Sequence, residues 1–312
     1  VAEPAKKIEQ QKVDYSVTKS VESPLRIFWK RLRTHKPSMF SLVILFVILL
    51  LAVLAPYVTV FDPEKVDLSL KFAPPFTRSA DGHIMLFGGD NLGRDVFTRA
   101  WYGARVSLMV GFLAEGLGIV LGAILGAISG YYGGWIDTLL MRIVDIFLSI
   151  PTLILLITVM AVYGPLVPKG GEKYLIVVVL GILGWQGTAR LVRGEILSLK
   201  ERDFVEAAKG LGARDRRIIF RHILPNVMAP IIVSVTLGVS GAILSEASLS
   251  YLGVGIQPPV PSWGNMIQSG QNYLRNAWWI TAFPGAVLCL TTLALYMLGD
   301  GLREALDPRL KK

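Results

Sequence analysis

Runs of about twenty apolar residues, such as MFSLVILFVILLLAVLAPYV from Met39, recur along this chain. In hydrocarbon a backbone N–H or C=O finds no water, so a spanning segment must bond within itself as a helix or close into a barrel. At 1.5 Å per residue, about 20 residues cover the roughly 30 Å apolar core, whereas a barrel strand needs only about ten. The run length therefore selects helices. Six spans are expected, at 38–60, 105–129, 139–163, 174–193, 228–250 and 279–299. The composition agrees: 18% of residues are charged, against roughly 25% in soluble proteins. The expected fold is an all-α polytopic membrane protein with about six transmembrane helices.

The polar stretch before the first run, and the absence of a small-x-small exit after it, predict an anchor and no cleaved leader. An even number of spans puts both ends on one side. Lys and Arg number nine in 1–38, one at Arg142, nine in 190–228 and four in 300–312, against nine in the intervening segments. By the positive-inside rule both termini are expected to be cytoplasmic. The net charge of +9 then reflects this bias and attraction to anionic headgroups, so membrane lipid is an expected partner and nucleic acid is not. Cys289, the lone cysteine, falls in the last span and reads as a packing residue.

Within 1–37, Leu25, Phe28, Trp29 and Leu32 share one helical face, with Arg26, Lys30 and Arg33 elsewhere. That pattern predicts an interfacial helix on the inner leaflet. The external loop 61–104 nearly balances its charges, with five Lys or Arg against six acidic residues, and is longer than most connections, which favours a functional role. Gly118, Gly122, Gly126 and Gly130 recur every fourth residue, a stripe that lets a second helix approach closely. Glu115, Arg142, Asp145, Arg190 and Glu246 lie in or near apolar segments. A charge in lipid costs about 3 kcal/mol or more, so these should face other helices or a watery cavity. Glu115 and Glu246 are the translocation-path candidates, and Arg142 is expected to pair with Asp145 at i, i+3.

No G-x-x-x-x-G-K-[ST], G-x-S-x-G or H-E-x-x-H occurs, so no phosphate cradle, nucleophile elbow or zinc-hydrolase helix is expected. His35, His83 and His222 fall on different segments and do not converge with Cys289 on a metal. No catalytic residue, bound cofactor or metal is expected of this chain. Any use of ATP would take place on another polypeptide.

The cytoplasmic loop 194–227 carries EAAKGLGARDRRIIFRHILPN, residues 206–226. Leu197, Phe204, Ala208 and Leu211 return to one face at helical offsets. Gly212 then suits the left-handed residue that ends a helix, and Asp215 is placed to cap a second one. Arg214, Arg217 and Arg221 form one side of that second helix, Ile219 and Ile223 another, and Pro225 limits its continuation.

EAA, three residues, Gly, nine residues, then hydrophobic-x-Leu-Pro resembles the loop of permease subunits of ATP-binding-cassette importers. Glu206, Ala207, Ala208, Gly212, Leu224 and Pro225 carry the match, with His222 at the usual isoleucine position and Ile223 one place later. GGDNLGRDVFTRAWYGARVSL (88–108) and EASLSYLGVGIQPPVPSWGNMI (246–267) are similar to signatures of the dipeptide, oligopeptide and nickel permeases of the C type, with Gly89 where a Thr is common. The resemblance implies a type I importer permease fold in a prokaryotic inner membrane. It further implies a second, B-type permease, two ATPase subunits holding ATP and Mg, and an extracytoplasmic substrate-binding protein. Glu206 to Pro225, with its basic face, would be the coupling element. Imported peptides, or related small solutes, are the expected substrates. A proton-coupled carrier working through Glu115 or Glu246 without ATPases is the alternative, and a structural scaffold is a third.

Overall fold

The computed structural model describes residues 23–306. The tail residues 1–22 and 307–312, and the Leu25 side chain of the expected amphipathic face, lie outside the described residues. Helix α1 (Pro24–Thr34) meets α2 (Lys36–Val58) at His35. Long helices α3 (Val96–Tyr132), α6 (Glu172–Leu199), α9 (Leu224–Tyr251) and α11 (Trp279–Leu306) follow. With α2 these are five helices long and apolar enough to cross a membrane. The sixth apolar run is broken. Its halves α4 (Gly134–Ser149) and α5 (Thr152–Tyr163) are bent by 80° within the span expected over 139–163. Pro151 is the cause: the residue before a proline is pushed out of helical geometry, and Ile150 is extended at φ −94°, ψ 126°.

Helix α6 is central, with 44% of its most apolar stretch buried against 28% in α2 and α9. Its main partner is α3, along the glycine stripe. An ideal Cβ on Gly118 would lie 3.5 Å from the backbone of α6, on Gly122 2.6 Å from the Trp185 oxygen, on Gly126 2.5 Å from the Ala189 oxygen and on Gly130 3.0 Å from the Arg193 oxygen. At Gly122 and Gly126, and more mildly at Gly130, the two backbones approach more closely than a side chain allows, whereas at Gly118 a Cβ would make ordinary contact.

Two carboxylates in the apolar segments find arginine partners across helices. Asp145 accepts from Arg190 Nη2 at 2.5 Å, so the expected pairing with Arg142 on its own helix does not form, and Arg142 is exposed. Asp137 is held by the forked guanidinium of Arg193 at 2.5 and 2.6 Å and by the Ser129 hydroxyl. These bonds lock the α3–α4 turn, where Gly133 has φ +66°, against α6.

On the far side from the loop after α6, residues 59–95 fold over the bundle with one short hairpin, Thr77–Arg78 paired to Ile84–Met85. Helix α3 starts at Val96, earlier than the expected 105, because Asp95 caps it by accepting from the Thr98 N–H at 2.7 Å and the Thr98 hydroxyl at 2.6 Å. Helix α11 runs on to Leu306, past the expected span end at 299. Helix α7 (Asp203–Gly210), the short α8 (Asp215–Arg217) and α10 (Trp263–Gly270) complete the chain.

Candidate functional site

The loop between α6 and α9 is built in two layers. Val205, Ala208, Ile218 and Ile223 are buried against Val192, Ile196 and Val227. On the outer layer Glu206, Ala207, Arg214, Arg217 and Arg221 are exposed, and so are Phe204, Phe220 and Leu211, the last at 90%. The expected ridge of Leu197, Phe204, Ala208 and Leu211 is therefore not one packed face. The chain leaves helical hydrogen bonding between Leu199 and Asp203, which resets the phase, and Ala208 packs inward beside Val205.

Gly212 adopts φ +76°. Its N–H donates to Lys209 O at 2.9 Å, and the Ala213 N–H to Ala208 O at 3.1 Å, closing α7 with a left-handed residue that side chains disfavour. Asp215 does not cap the next helix. It stands at the first position of α8, and Oδ1 accepts from Tyr131 Oη at 2.7 Å. Lys209 Nζ lies 5.9 Å from the centroid of the same ring. Tyr131, at the end of α3, thus grips both halves of the loop, and nothing in its local sequence pattern signals that role.

Between α8 and α9, Ile218–Ile223 is a π turn, with the Leu224 N–H donating to Ile219 O. In a regular α-helix residues five apart point about 140° away from each other; i→i+5 bonding brings them to one face. Ile218 and Ile223 are both buried. Ile223 thereby fills the core place, and His222 sits half-buried to the side with its carbonyl accepting from Asn226 Nδ2 at 2.7 Å. Leu224 and Pro225 open α9, where the missing proline N–H is tolerated.

At the opposite end of the bundle the two signature stretches pack on each other. Asp90 accepts from Arg94 Nε at 2.7 Å and lies 3.7 Å from Arg99 Nε. Arg99 Nη1 reaches on to Pro63 O at 2.6 Å and Pro259 O at 3.4 Å. Burial pushes the Asp95 carboxyl above the usual aspartate range, against the pull of the Thr98 donors. Trp263 Nε1 donates to Ala100 O at 3.1 Å, and a Ser262–Asn265 capping box starts α10. Gly89 has a structural reason: a Cβ there would lie 2.2 Å from the Leu70 carbonyl oxygen, and its own carbonyl accepts from Trp279 Nε1 at 3.1 Å.

Glu246 does not line an open vestibule. It is fully buried, accepting from Ser107 Oγ on α3 and Ser250 Oγ on its own helix, each at 2.7 Å. Two hydroxyl donors and close packing make it a hydrogen-bonded junction between α3 and α9. Glu115, on the same face of α3 further down, is half-buried over Gly238 of α9. The two carboxylates are not brought together. Among the described residues no cluster of three or more His, Cys, Asp or Glu is placed to hold a metal.

Residues 118–312 match the family described as binding-protein-dependent transport system inner membrane component, and residues 23–75 match the N-terminal TM domain of oligopeptide transport permease C. A putative peptide transport system permease protein of Brucella abortus is 41% identical over 290 residues, covering 93% of this chain and 94% of that protein. The dipeptide and oligopeptide transport system permease proteins DppC and OppC of Bacillus subtilis are each 42% identical, over 91% of this chain and 85% and 90% of theirs. Among solved structures, an inward-facing form of the MetNI methionine ABC transporter superposes with a TM-score of 0.55 at 20% identity, over 68% of this chain and 96% of that one. That likeness shows that the two chains share a fold.

Proposed function

We propose, on the premise that this chain belongs to the binding-protein-dependent transport system inner membrane component family, in its oligopeptide permease C branch, that it carries small peptides inward by alternating access. It would do so beside a second, B-type permease, receiving solute from an extracytoplasmic binding protein. Two ATPase subunits would hold ATP and Mg on the loop side, with no cofactor bound by this chain. The site of action would be a prokaryotic inner membrane, with both termini and the α6–α9 loop cytoplasmic.

The observation that carries the reading is the two-layered loop. A buried apolar layer fastens it to the ends of α3, α6 and α9, while Glu206, Arg214, Arg217 and Arg221 stand clear, interleaved with exposed Phe204, Leu211 and Phe220. Exposed apolar side chains framed by charges are what a protein partner covers. An interfacial resting place in lipid would instead turn Phe204, Phe220 and Leu211 toward the spans. Closure of the ATPases would pull this element and, through Tyr131, the end of α3. Glu115 is the path-lining carboxylate of this reading.

The complete transporter in proteoliposomes tests it. Gly212→Pro removes the Gly212 N–H bond and imposes a φ near −65° where +76° is needed; Glu206→Lys reverses the exposed charge. Both are expected to insert normally, lose peptide uptake and lose ATPase stimulation by the binding protein. Normal uptake and stimulation in both variants would remove the coupling role. Uptake by this chain alone under a pH gradient, without ATP, would establish the proton-coupled alternative.

A further inference from the structure

A lateral groove crosses half the bundle on the side of α2. Its mouth is a cavity of about 830 Å³ that includes Asp62, Glu64, Arg105 and Lys173. A second cavity, of about 310 Å³ and almost wholly apolar, shares Leu49, Leu108 and Phe112 with the first and extends down to Leu42 of α2 and Leu298 of α11. Buried Ile48, Leu108, Val239 and Leu295 make its floor, and exposed Phe46, Leu49 and Phe112 its rim. The two cavities are one groove, charged at the top and oily below.

Its dimensions and charges match one class of molecule. From Val53 to Leu42 the groove follows α2 for about 16 Å at 1.5 Å per residue, close to half of the roughly 30 Å hydrocarbon core. The charged mouth lies just beyond the end of α2 and at the starts of the apolar parts of α3 and α6, the level of the headgroups. Both signs are present there; Glu64 feels the charge of buried Arg99, and among the described residues none of the four comes within ion-pair distance of an opposite charge. Arg105 is exposed, with its guanidinium 5.7 Å from the Tyr102 ring centroid, which holds it over the mouth.

We infer that this groove binds a glycerophospholipid with an ammonium-bearing headgroup, of the phosphatidylethanolamine type, in the leaflet opposite the α6–α9 loop. Arg105 and Lys173 take the phosphate, Asp62 and Glu64 take the ammonium, and one acyl chain lies along Leu49 toward Leu42. Lipid that merely surrounds a helix bundle has neither the paired charges nor the recessed floor.

The test uses the complete transporter in nanodiscs with a diazirine-tailed phosphatidylethanolamine, reading label position by mass spectrometry. The expected label concentrates on the 42–53 and 108–112 peptides. Arg105→Glu with Lys173→Glu should lower it about tenfold, the effect of losing charge-assisted bonds to phosphate. Leu49→Trp, which fills the groove from its exposed rim, should lower it similarly with the charges intact. A phosphatidylglycerol analogue should label severalfold less. Uniform labelling around the bundle, unchanged in both variants, would show surrounding lipid only and overturn the site. So would absence of label because the second permease covers the groove, or displacement of the label by excess dipeptide, which would make it a peptide site.

Discussion

At Gly126 a Cβ would stand 2.5 Å from the Ala189 carbonyl oxygen, whereas at Gly116, one face round the same helix, it would meet nothing within 4 Å. Gly126→Leu should therefore drive α3 and α6 apart and sharply lower the thermal unfolding midpoint of the purified complex; Gly116→Ala should change stability by no more than about 1 kcal/mol. Glu246 gives a second contrast. Glu246→Ala strips the acceptor from two buried hydroxyls and should cost about 2 to 4 kcal/mol, while Glu246→Gln keeps one acceptor and should cost less; equal midpoints for the wild type and the alanine variant would contradict the junction role. The glycine stripe was legible because a four-residue spacing needs no partner to be seen. The fate of Glu246 was not, since it depends on Ser107, 139 positions away. Asp145 was misread for a similar reason: a neighbour at i−3 is visible in sequence, and Arg190 on another helix is not.

Among the elements, the loop from α7 to the π turn is held chiefly by its apolar underside and by Tyr131. Tyr131→Phe removes the bond to Asp215 without altering the ring beside Lys209. Amide exchange over residues 203–217 should then speed up severalfold, with exchange in α3 and α6 unchanged; an unaltered loop would mean that the buried isoleucines suffice. The helix existence over five of the six apolar runs followed from length alone, because hydrocarbon forces the answer. The sixth carried its own warning in Pro151, inside a run otherwise apolar enough to hide it. The π turn had a fainter signal. Ile218 and Ile223 are five apart, a spacing no α-helix buries on one side, and His222 at an expected apolar position marks the residue rotated out.

For the molecule as a whole, the orientation rests on the distribution of Lys and Arg and is open to direct measurement. In a Cys289→Ser background, a membrane-impermeant maleimide should label Lys169→Cys in intact cells and Lys209→Cys only in inverted vesicles; the reverse pattern would turn the molecule over. The spans α2, α9 and α11 each contain an internal proline, at Pro56, Pro230 and Pro284, whereas α3 and α6 contain none. Proline removes a helical hydrogen bond and creates a place to flex. Helix α3 is about 55 Å long at 1.5 Å per residue, well beyond the hydrocarbon thickness. It is grouted to α6 along its glycines, tied at one end to Asp215 and at the other, through Arg99, to Pro63 and Pro259. The pair is a beam with no joint in it, and the prolines place the compliant members around it. On the proposed coupling role, a push at the loop would reach the opposite surface as displacement, with little of it absorbed on the way.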